Sequence, residues 1–107
     1  MPLVVRSGIK LTVIGSEVVF HEEAANRNYI LATNLSGMQV SDGLQIRLYT
    51  VLFSGQTYQL SQQITITGLQ AVPIRYTDPI SSPHAISARV RQYTGSPRNV
   101  KFELIAI

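Results

Sequence analysis

The sequence of 107 residues contains no cysteine and no tryptophan, and it is poor in charge. Without cysteine, neither a disulfide framework nor a thiolate metal site can form, so a packed core must hold the fold. Without tryptophan, a sugar-binding site lacks a strong stacking residue. Charged residues make up only 14% of the chain and hydrophobic residues 45%, which excludes a disordered chain and leaves much of a small domain's surface neutral or apolar.

Long hydrophobic runs are also missing. No apolar stretch approaches the ~20 residues that a membrane helix requires, and residues 1–10 show no signal-peptide pattern. We therefore expect synthesis in the cytoplasm, no membrane span, and a final location in an assembled particle or a surface filament. The net charge is only +3, so nucleic acid is not an expected partner.

Short apolar or alternating runs separated by turn residues fill the chain instead, a pattern typical of sandwiches and barrels. The runs predict strands at residues 3–6, 9–14, 17–21, 29–34, 44–54, 57–60, 64–67, 71–77, 85–93 and 100–107. Loops are predicted at residues 22–28, 78–83 and 95–99. We expect residues 1–107 to form one all-β domain, a single antiparallel β-sandwich that is jelly-roll-like and has about eight strands.

Both ends of the chain are rich in apolar residues. The last run, residues 100–107, carries them on both faces, and residues 3–5 are apolar without alternation. Such a terminal strand either lies inside its own sheet or contacts another subunit. We expect residues 1–8 to act as an N-terminal arm or an exchanged strand.

The titratable residues form no recognisable catalytic or metal-binding pattern. His21 and Glu23 share one face of a strand but lack a third metal ligand. His84 and Asp78 lie in a serine-rich loop, yet no G-x-S-x-G turn presents a nucleophile. We assign no catalytic residue, no metal ligand and no cofactor, and we do not expect an enzyme.

Arginine supplies seven of the nine basic residues, which favours contact surfaces because arginine pairs and stacks readily. If their strands are neighbours, the outward-facing arginines form a basic stripe for phosphates or anionic glycans; they are Arg47, Arg75, Arg89 and Arg91. The favoured alternative is a polar face whose arginines pair with acidic residues, namely Glu17, Glu103 or Asp42.

These features favour a structural or assembly protein. The expected function is that of a self-associating β-sandwich subunit of a filament, a virion or phage tail, or a cell- or spore-surface appendage, assembled through terminal strands and apolar sheet faces. The partners are then copies of the chain itself, as a homo-oligomer or polymer. The residues expected at the interface are Leu3, Val4, Val5, Arg89, Arg91, Leu104, Ile105 and Ile107.

The alternative function is a carbohydrate- or small-ligand-binding module. In such a module the loops at one end of the sandwich hold the ligand, and a glycan is then a partner. The loops assigned to this site are residues 22–28, 78–83 and 95–99.

Overall fold

Nine β-strands make up the computed structural model, which describes residues 3–107. Alternating apolar and polar residues, punctuated by glycine, proline and serine, set the strands apart. The strands are β1 (Leu3–Leu11), β2 (Glu17–Glu23), β3 (Arg27–Asn34), β4 (Gly43–Val51), β5 (Gln59–Thr67), β6 (Ile74–Tyr76), β7 (Ile80–Ser82), β8 (Ala85–Thr94) and β9 (Asn99–Ala106).

The strands form two antiparallel sheets packed face to face. The first sheet has the order β1-β9-β3-β6, with β7 also paired to β3, and the second has the order β2-β8-β4-β5. Because β6 and β7 both pair with β3, they share one position, and each sheet then has four positions. Consecutive strands alternate between the sheets except at the β4–β5 hairpin and between β6 and β7, which share one position, and this is the topology of a jelly roll. The predicted sandwich of about eight strands is confirmed.

The core lies between the two sheets and is built from the inward-facing residue of every second position. Its centre is the stacked pair Phe20 and Phe102, whose ring centroids are 4.6 Å apart. The other fully buried apolar residues come mainly from β3, β4, β8 and β9. Burial of each such side chain stabilises the fold by about 1.5–3 kcal/mol, so core packing takes the place of the disulfides that a chain without cysteine cannot form.

The predicted break at Ser7 and Gly8 is wrong, because residues 3–11 form one continuous strand, β1. Gly8 does not turn the chain but pairs with Phe102 of β9. A Cβ atom at this position would lie 3.4 Å from the Phe102 ring, which is an ordinary contact distance. The irregularity in β1 is a bulge between Val4 and Arg6.

Several predicted boundaries also shift. Residues 59–60 and 64–67 of the two predicted strands belong to one strand, β5, which lies at a sheet edge, and residues 57–58 precede it. The predicted loop 78–83 contains β7, and the loop 22–28 is shorter because β2 ends at Glu23 and β3 begins at Arg27. Strand β4 ends at Val51, which leaves the apolar residues Leu52 and Phe53 exposed in the following loop.

The two terminal strands pair with each other within the chain. Strand β9 lies between β1 and β3, so the strand that ends the chain is an inner strand of the first sheet. Residues 3–8 of the predicted arm belong to β1, an edge strand of the same sheet; residues 1 and 2 lie outside the described residues. Exchange of either end between subunits requires β1 to leave β9.

Candidate functional site

The outward surface of the first sheet is largely apolar, and we name it the apolar face. In β9 the side chains at 100, 102, 104 and 106 enter the core, so those at 101, 103 and 105 point outward, and the register places their neighbours on the same face. The apolar face consists of Val4, Ser7, Ile9, Leu11, Ile30, Ala32, Asn34, Ile74, Tyr76, Lys101, Glu103 and Ile105.

The apolar members of this face are open to solvent at its margins. Ile9 on β1 is 63% exposed and Tyr76 on β6 is 65% exposed, while Ile30, Ala32 and Ile105 are half-buried nearer the centre. Scattered exposed apolar residues are normal on a small protein. A continuous group that spans all four strand positions of one sheet is typical of a contact surface.

Only two charged residues lie on the apolar face, and both are in the central part of β9. Among residues 3–107, neither Lys101 nor Glu103 has an ion-pair partner within 4.0 Å. A shallow, open depression of about 280 Å³ lies beside them, with Ala32, Asn34 and Tyr76 among its lining residues. The face thus combines an apolar surround with one basic and one acidic group that are free for an external partner.

The outward surface of the second sheet is different, and we name it the polar face. It consists of Glu17, Val19 and Glu22 from β2, Gln45, Arg47 and Tyr49 from β4, Leu60, Gln63 and Thr65 from β5, and Ser87, Arg89 and Arg91 from β8. Val19 and Leu60 are its exposed apolar residues. Here three arginines and two glutamates lie on adjacent strands. Of the acidic residues expected to pair with the arginines, Glu17 does so on this sheet, with Arg47 and Arg89.

Glu17 connects two arginines of the polar face, Arg47 and Arg89. One carboxylate oxygen accepts a hydrogen bond from Arg47 at 3.1 Å and another from the hydroxyl of Tyr49, and the second oxygen accepts one from Arg89 at 3.2 Å. Burial acts to raise the pKa of Glu17, but the hydrogen bonds from Tyr49, Arg47 and Arg89 outweigh it, so the pKa lies below its ordinary value.

Arg89 is held on several sides. It also reaches Glu22 at 3.3 Å and Ser87 at 2.8 Å, and its guanidinium lies 4.3 Å from the ring centre of Tyr49 and 5.7 Å from that of Tyr58. These contacts occupy the planar group that a phosphate or carboxylate would need. Arg89 and Arg47, two residues of the predicted basic stripe, are therefore paired within the chain.

The remaining arginines of the predicted stripe are not equivalent. Arg75 lies on β6 of the other sheet and donates to Gln70 at 2.9 Å. Arg91 lies on the polar face in register with Glu17, and its buried Nε has no hydrogen-bond partner among residues 3–107. The structure brings Arg47, Arg89 and Arg91 together and separates Arg75 from them.

The edges of the first sheet carry features that oppose strand addition. Three cationic side chains lie on the core side of the edge strands, because they are in register with inward-facing residues. They are Arg6 and Lys10 of β1 and Arg75 of β6. Inward-pointing charges and bulges such as that between Val4 and Arg6 are common ways of blocking edge-to-edge pairing. The open face of the first sheet is therefore a better contact surface than its edges.

A buried polar network fixes the loops at one end of the sandwich. The carboxylate of Asp42 accepts hydrogen bonds from the backbone N–H groups of Gln39 at 2.8 Å and Ser96 at 3.2 Å, and from Arg98 Nε at 2.6 Å. The carbonyl of Asp42 accepts from the N–H of Gly68 at 2.8 Å. One residue thus joins the loops that follow β3, β5 and β8.

The Asp42 side chain is fully buried, so its charge depends on these partners. Burial acts to raise its pKa, but hydrogen bonds from Arg98, Gln39 and Ser96 outweigh it and hold the pKa of Asp42 below its ordinary value. Gly95 makes the close packing possible, because its φ is 90° and a Cβ atom there would lie 2.0 Å from Asp42 Oδ1. This network is structural: it holds the loops in place.

The residues predicted at an interface occupy different surroundings. Val4 and Ile105 lie on the apolar face, Leu3 and Ile107 are exposed near the chain ends, and Arg89 and Arg91 lie on the polar face. Val5 packs against the core. Leu104 is fully buried, so it is not available for contact with another subunit while β9 stays in its sheet.

The apolar face also contains residues that the sequence interpretation missed, notably Ile9, Ile74 and Tyr76. Their outward direction follows from strand alternation, but the sequence does not show that β1, β9, β3 and β6 are neighbours. The sequence did contain one sign of this face, because Lys101 and Glu103 alternate with apolar core residues in the last run and must therefore point away from the core.

The loops proposed for a ligand site are divided between the two ends of the sandwich. Strands β2 and β8 are antiparallel, so the loop after β2 and the loop after β8 lie at opposite ends. Strand β7 pairs with the beginning of β3, which puts residues 78–83 near the loop after β2. Residues 95–99 are therefore separate from the other two, and a single surface of all three loops does not exist.

The histidine groupings do not form a catalytic arrangement in the described residues. Ser82 is buried with its hydroxyl directed to the carbonyl of Ala25, and no hydrogen bond joins His84 to Ser81, Ser82 or Asp78 in the range 3–107. Glu23 accepts a hydrogen bond from Tyr29. Within the same range, no three His, Asp or Glu side chains are grouped so that they could hold a metal ion.

Residues 3–107 include no helix with the length and hydropathy needed to cross a membrane. Comparison with protein-family models, curated proteins and solved structures finds no match.

Proposed function

We propose that this chain is a structural subunit that associates with copies of itself, and that the apolar face is the main contact. The observation that carries the proposal is the continuous apolar group across the first sheet, whereas on the second sheet Glu17 is paired with Arg47 and Arg89. Burial of apolar surface is the main favourable contribution to subunit association, and on this face the apolar residues surround a central pair of opposite charges.

The charges of the face favour a second copy over a strongly charged partner. Lys101 and Glu103 are one basic and one acidic group, so the face has no net charge to attract an acidic or a basic macromolecule. A surface that bears both signs can be complementary to itself.

Growth beyond a dimer needs a further contact, because a contact between two identical faces closes on itself. The two ends of the sandwich supply exposed apolar residues for it. At the end fixed by Asp42 these are Val13, Ile14, Val40, Leu69 and Val72, and at the other end they are Leu52 and Phe53. We propose that end-to-end contact of these groups extends the assembly into the filament, virion, phage-tail or surface-appendage form expected from the sequence.

Sedimentation velocity over a concentration series from about 1 μM to about 1 mM tests the proposal. Wild-type protein should show reversible association. Ile9→Asp should weaken it about tenfold or more, because the change puts a charge in the apolar contact. Val19→Asp is the matched control, since Val19 is an exposed β-branched residue on an edge strand of the polar face.

Association of the Val19→Asp variant should equal that of the wild type, and both variants should have similar melting temperatures. A wild-type protein that stays monomeric at the highest concentration would contradict the proposal. So would equal association of the Ile9 and Val19 variants.

The depression on the apolar face supports a second candidate function, the binding of a carbohydrate or another small ligand. Tyr76 offers an exposed ring for stacking, and Asn34, Lys101 and Glu103 offer polar groups around the small residue Ala32. A thermal-shift screen of neutral and acidic saccharides tests this candidate. A ligand that stabilises monomeric protein and loses its effect in Tyr76→Ala would favour it over self-association.

A further inference from the structure

The unpaired charges of the apolar face are arranged so that the face is complementary to itself. Lys101 and Glu103 are two residues apart on β9, so their side chains point outward from the same strand with one inward-facing residue between them. An identical strand lying over β9 in the opposite direction brings each lysine above a glutamate.

We propose that two copies pack through their apolar faces about a two-fold axis that crosses the strands between residues 101 and 103. This inference rests on the proposed self-association and specifies its register. Lys101 of each copy pairs with Glu103 of the other, which gives two reciprocal ion pairs at the centre of the contact.

The cross-strand register shows that the rest of the face fits the same axis. Ser7, Ala32 and Tyr76 are in one row with Glu103, while Ile9, Asn34 and Ile74 are in the next row with Lys101. The axis lies between these rows and exchanges them. Tyr76 of one copy therefore lies over Ile74 of the other, and Ile9 lies over Ser7.

The outer rows match on β1, whereas on β9 the axis places Ile105 of each copy over Asn99 of the other. Val4 is beside Ile105 on one side of the central rows, and Leu11 is beside Asn99 on the other side. The axis places Val4 of each copy over Leu11 of the other, so two exposed apolar residues cover one another. Aligned packing of two sheets about 10 Å apart gives room for such side-chain pairs.

The area of the face indicates how strong the contact is. Four strand positions about 4.8 Å apart and about eight residues rising about 3.3 Å each give roughly 500 Å² per copy. The sum for two copies is about 1,000 Å², at the lower limit for a specific interface. The dimer should therefore be weak, and the central ion pairs should have a visible effect on it.

Charge reversal tests the register. Lys101→Glu and Glu103→Lys should each weaken self-association about tenfold or more at low salt, because each puts like charges opposite one another. The double variant Lys101→Glu with Glu103→Lys should restore association to within about threefold of wild type, since the pairs are re-formed with their signs exchanged. Lys10→Glu, an exposed lysine outside the apolar face, should leave association unchanged.

Mixing the two single variants gives the sharpest result. One variant carries two acidic residues at the centre of the face and the other carries two basic residues, so each should reject itself and bind the other. Sedimentation of an equimolar mixture should show a heterodimer at concentrations where each variant alone is monomeric.

The failures can be told apart. If wild type associates and Ile9→Asp weakens it, but the single reversals associate like wild type, the two-fold register is wrong and self-association stands. A folded double variant that fails to regain association also overturns the register. A wild-type protein that stays monomeric would contradict both the two-fold register and the proposed function.

Discussion

The two outer faces of this sandwich differ in how they hold charge. On the polar face, Glu17 accepts hydrogen bonds from Arg47, Arg89 and Tyr49, so these charges are paired within the chain, and Arg91 is the exception. On the apolar face, Lys101 and Glu103 have no ion-pair partner among residues 3–107. The polar face therefore pairs most of its charges internally, and the apolar face leaves one unpaired charge of each sign.

The difference separates residues that stabilise the subunit from residues that are free to bind. A charge already held by neighbours contributes to folding, and recruiting it to a partner means breaking those bonds. A charge without neighbours contributes little to folding and can pair with another molecule without such a loss. Substitutions on the two faces should thus act on different quantities, the free energy of unfolding on one and association on the other.

The largest effect on stability is expected where the two sheets are joined, at the fully buried Asp42. Asp42→Ala should lower the free energy of unfolding by about 3 kcal/mol, because it removes the partner of Arg98 and leaves the N–H groups of Gln39 and Ser96 unsatisfied. Urea unfolding monitored by tyrosine fluorescence measures the change. Asp78→Asn is a control at an exposed side chain and should change stability by less than about 0.5 kcal/mol.

This variant sets the upper end of the comparison. If Asp42→Ala lowers the free energy of unfolding no more than the Asp78 control, pairing of charges within the chain does not stabilise the fold. The contrast between the two faces would then have no consequence for stability.

The polar face should show an intermediate effect. Glu17→Gln keeps the shape of the side chain but removes the charge that Arg47 and Arg89 share, and we expect a loss of about 1–2 kcal/mol in the free energy of unfolding. The figure is lower than for Asp42 because the Glu17 side chain is about a quarter exposed, so solvent screens its ion pairs. Its association should equal that of wild type, and a selective loss of association would place the contact on the wrong face.

Acid should weaken both paired sites, and the sign follows from their lowered pKa values. Asp42 and Glu17 have pKa values below those of the unfolded chain, so each contributes stability above the unfolded value of about 4. That contribution is lost as the pH falls through the folded pKa. Urea unfolding between pH 7 and about pH 2.5 should show a decline below about pH 4.5, and Glu17→Gln should make the decline shallower. An unchanged slope in the variant would mean that folding does not lower the pKa of Glu17.

The sequence was sufficient to predict the kind of fold but not the neighbours of each strand. Alternation identified the inward residues of β8 and the long inner strand β4, since burial on one face of a strand has a period of two. It divided β1 at Ser7 and Gly8, because a serine and a glycine together are typical of a turn. The contact of Gly8 with Phe102 joins residues far apart in the chain, so no local pattern could indicate it.

The same limit applies to the two faces. Sequence spacing placed Arg89 and Arg91 on one side of a strand, and it named Glu17 as a partner for the arginines, as found. It could not place Ile9 and Tyr76 on one surface, because β1 and β6 are at opposite edges of a sheet that only the complete fold assembles. The two-sided apolar pattern of the last strand is explained mainly by its inner position, with Leu104 on the core side and Ile105 on the apolar face.

The smallest effect on stability is expected for Glu103→Gln on the apolar face. Glu103 has no ion-pair partner within the described subunit, so neutralising it should change the free energy of unfolding by less than about 0.5 kcal/mol in dilute, monomeric protein. At higher concentration the wild type should gain stability through association and the variant should gain less, since a state that binds a partner is favoured by mass action. Urea unfolding at two protein concentrations measures both quantities. A loss of more than about 1 kcal/mol at low concentration would show that Glu103 is paired inside the subunit, and the distinction between the faces would then fail at its central residue.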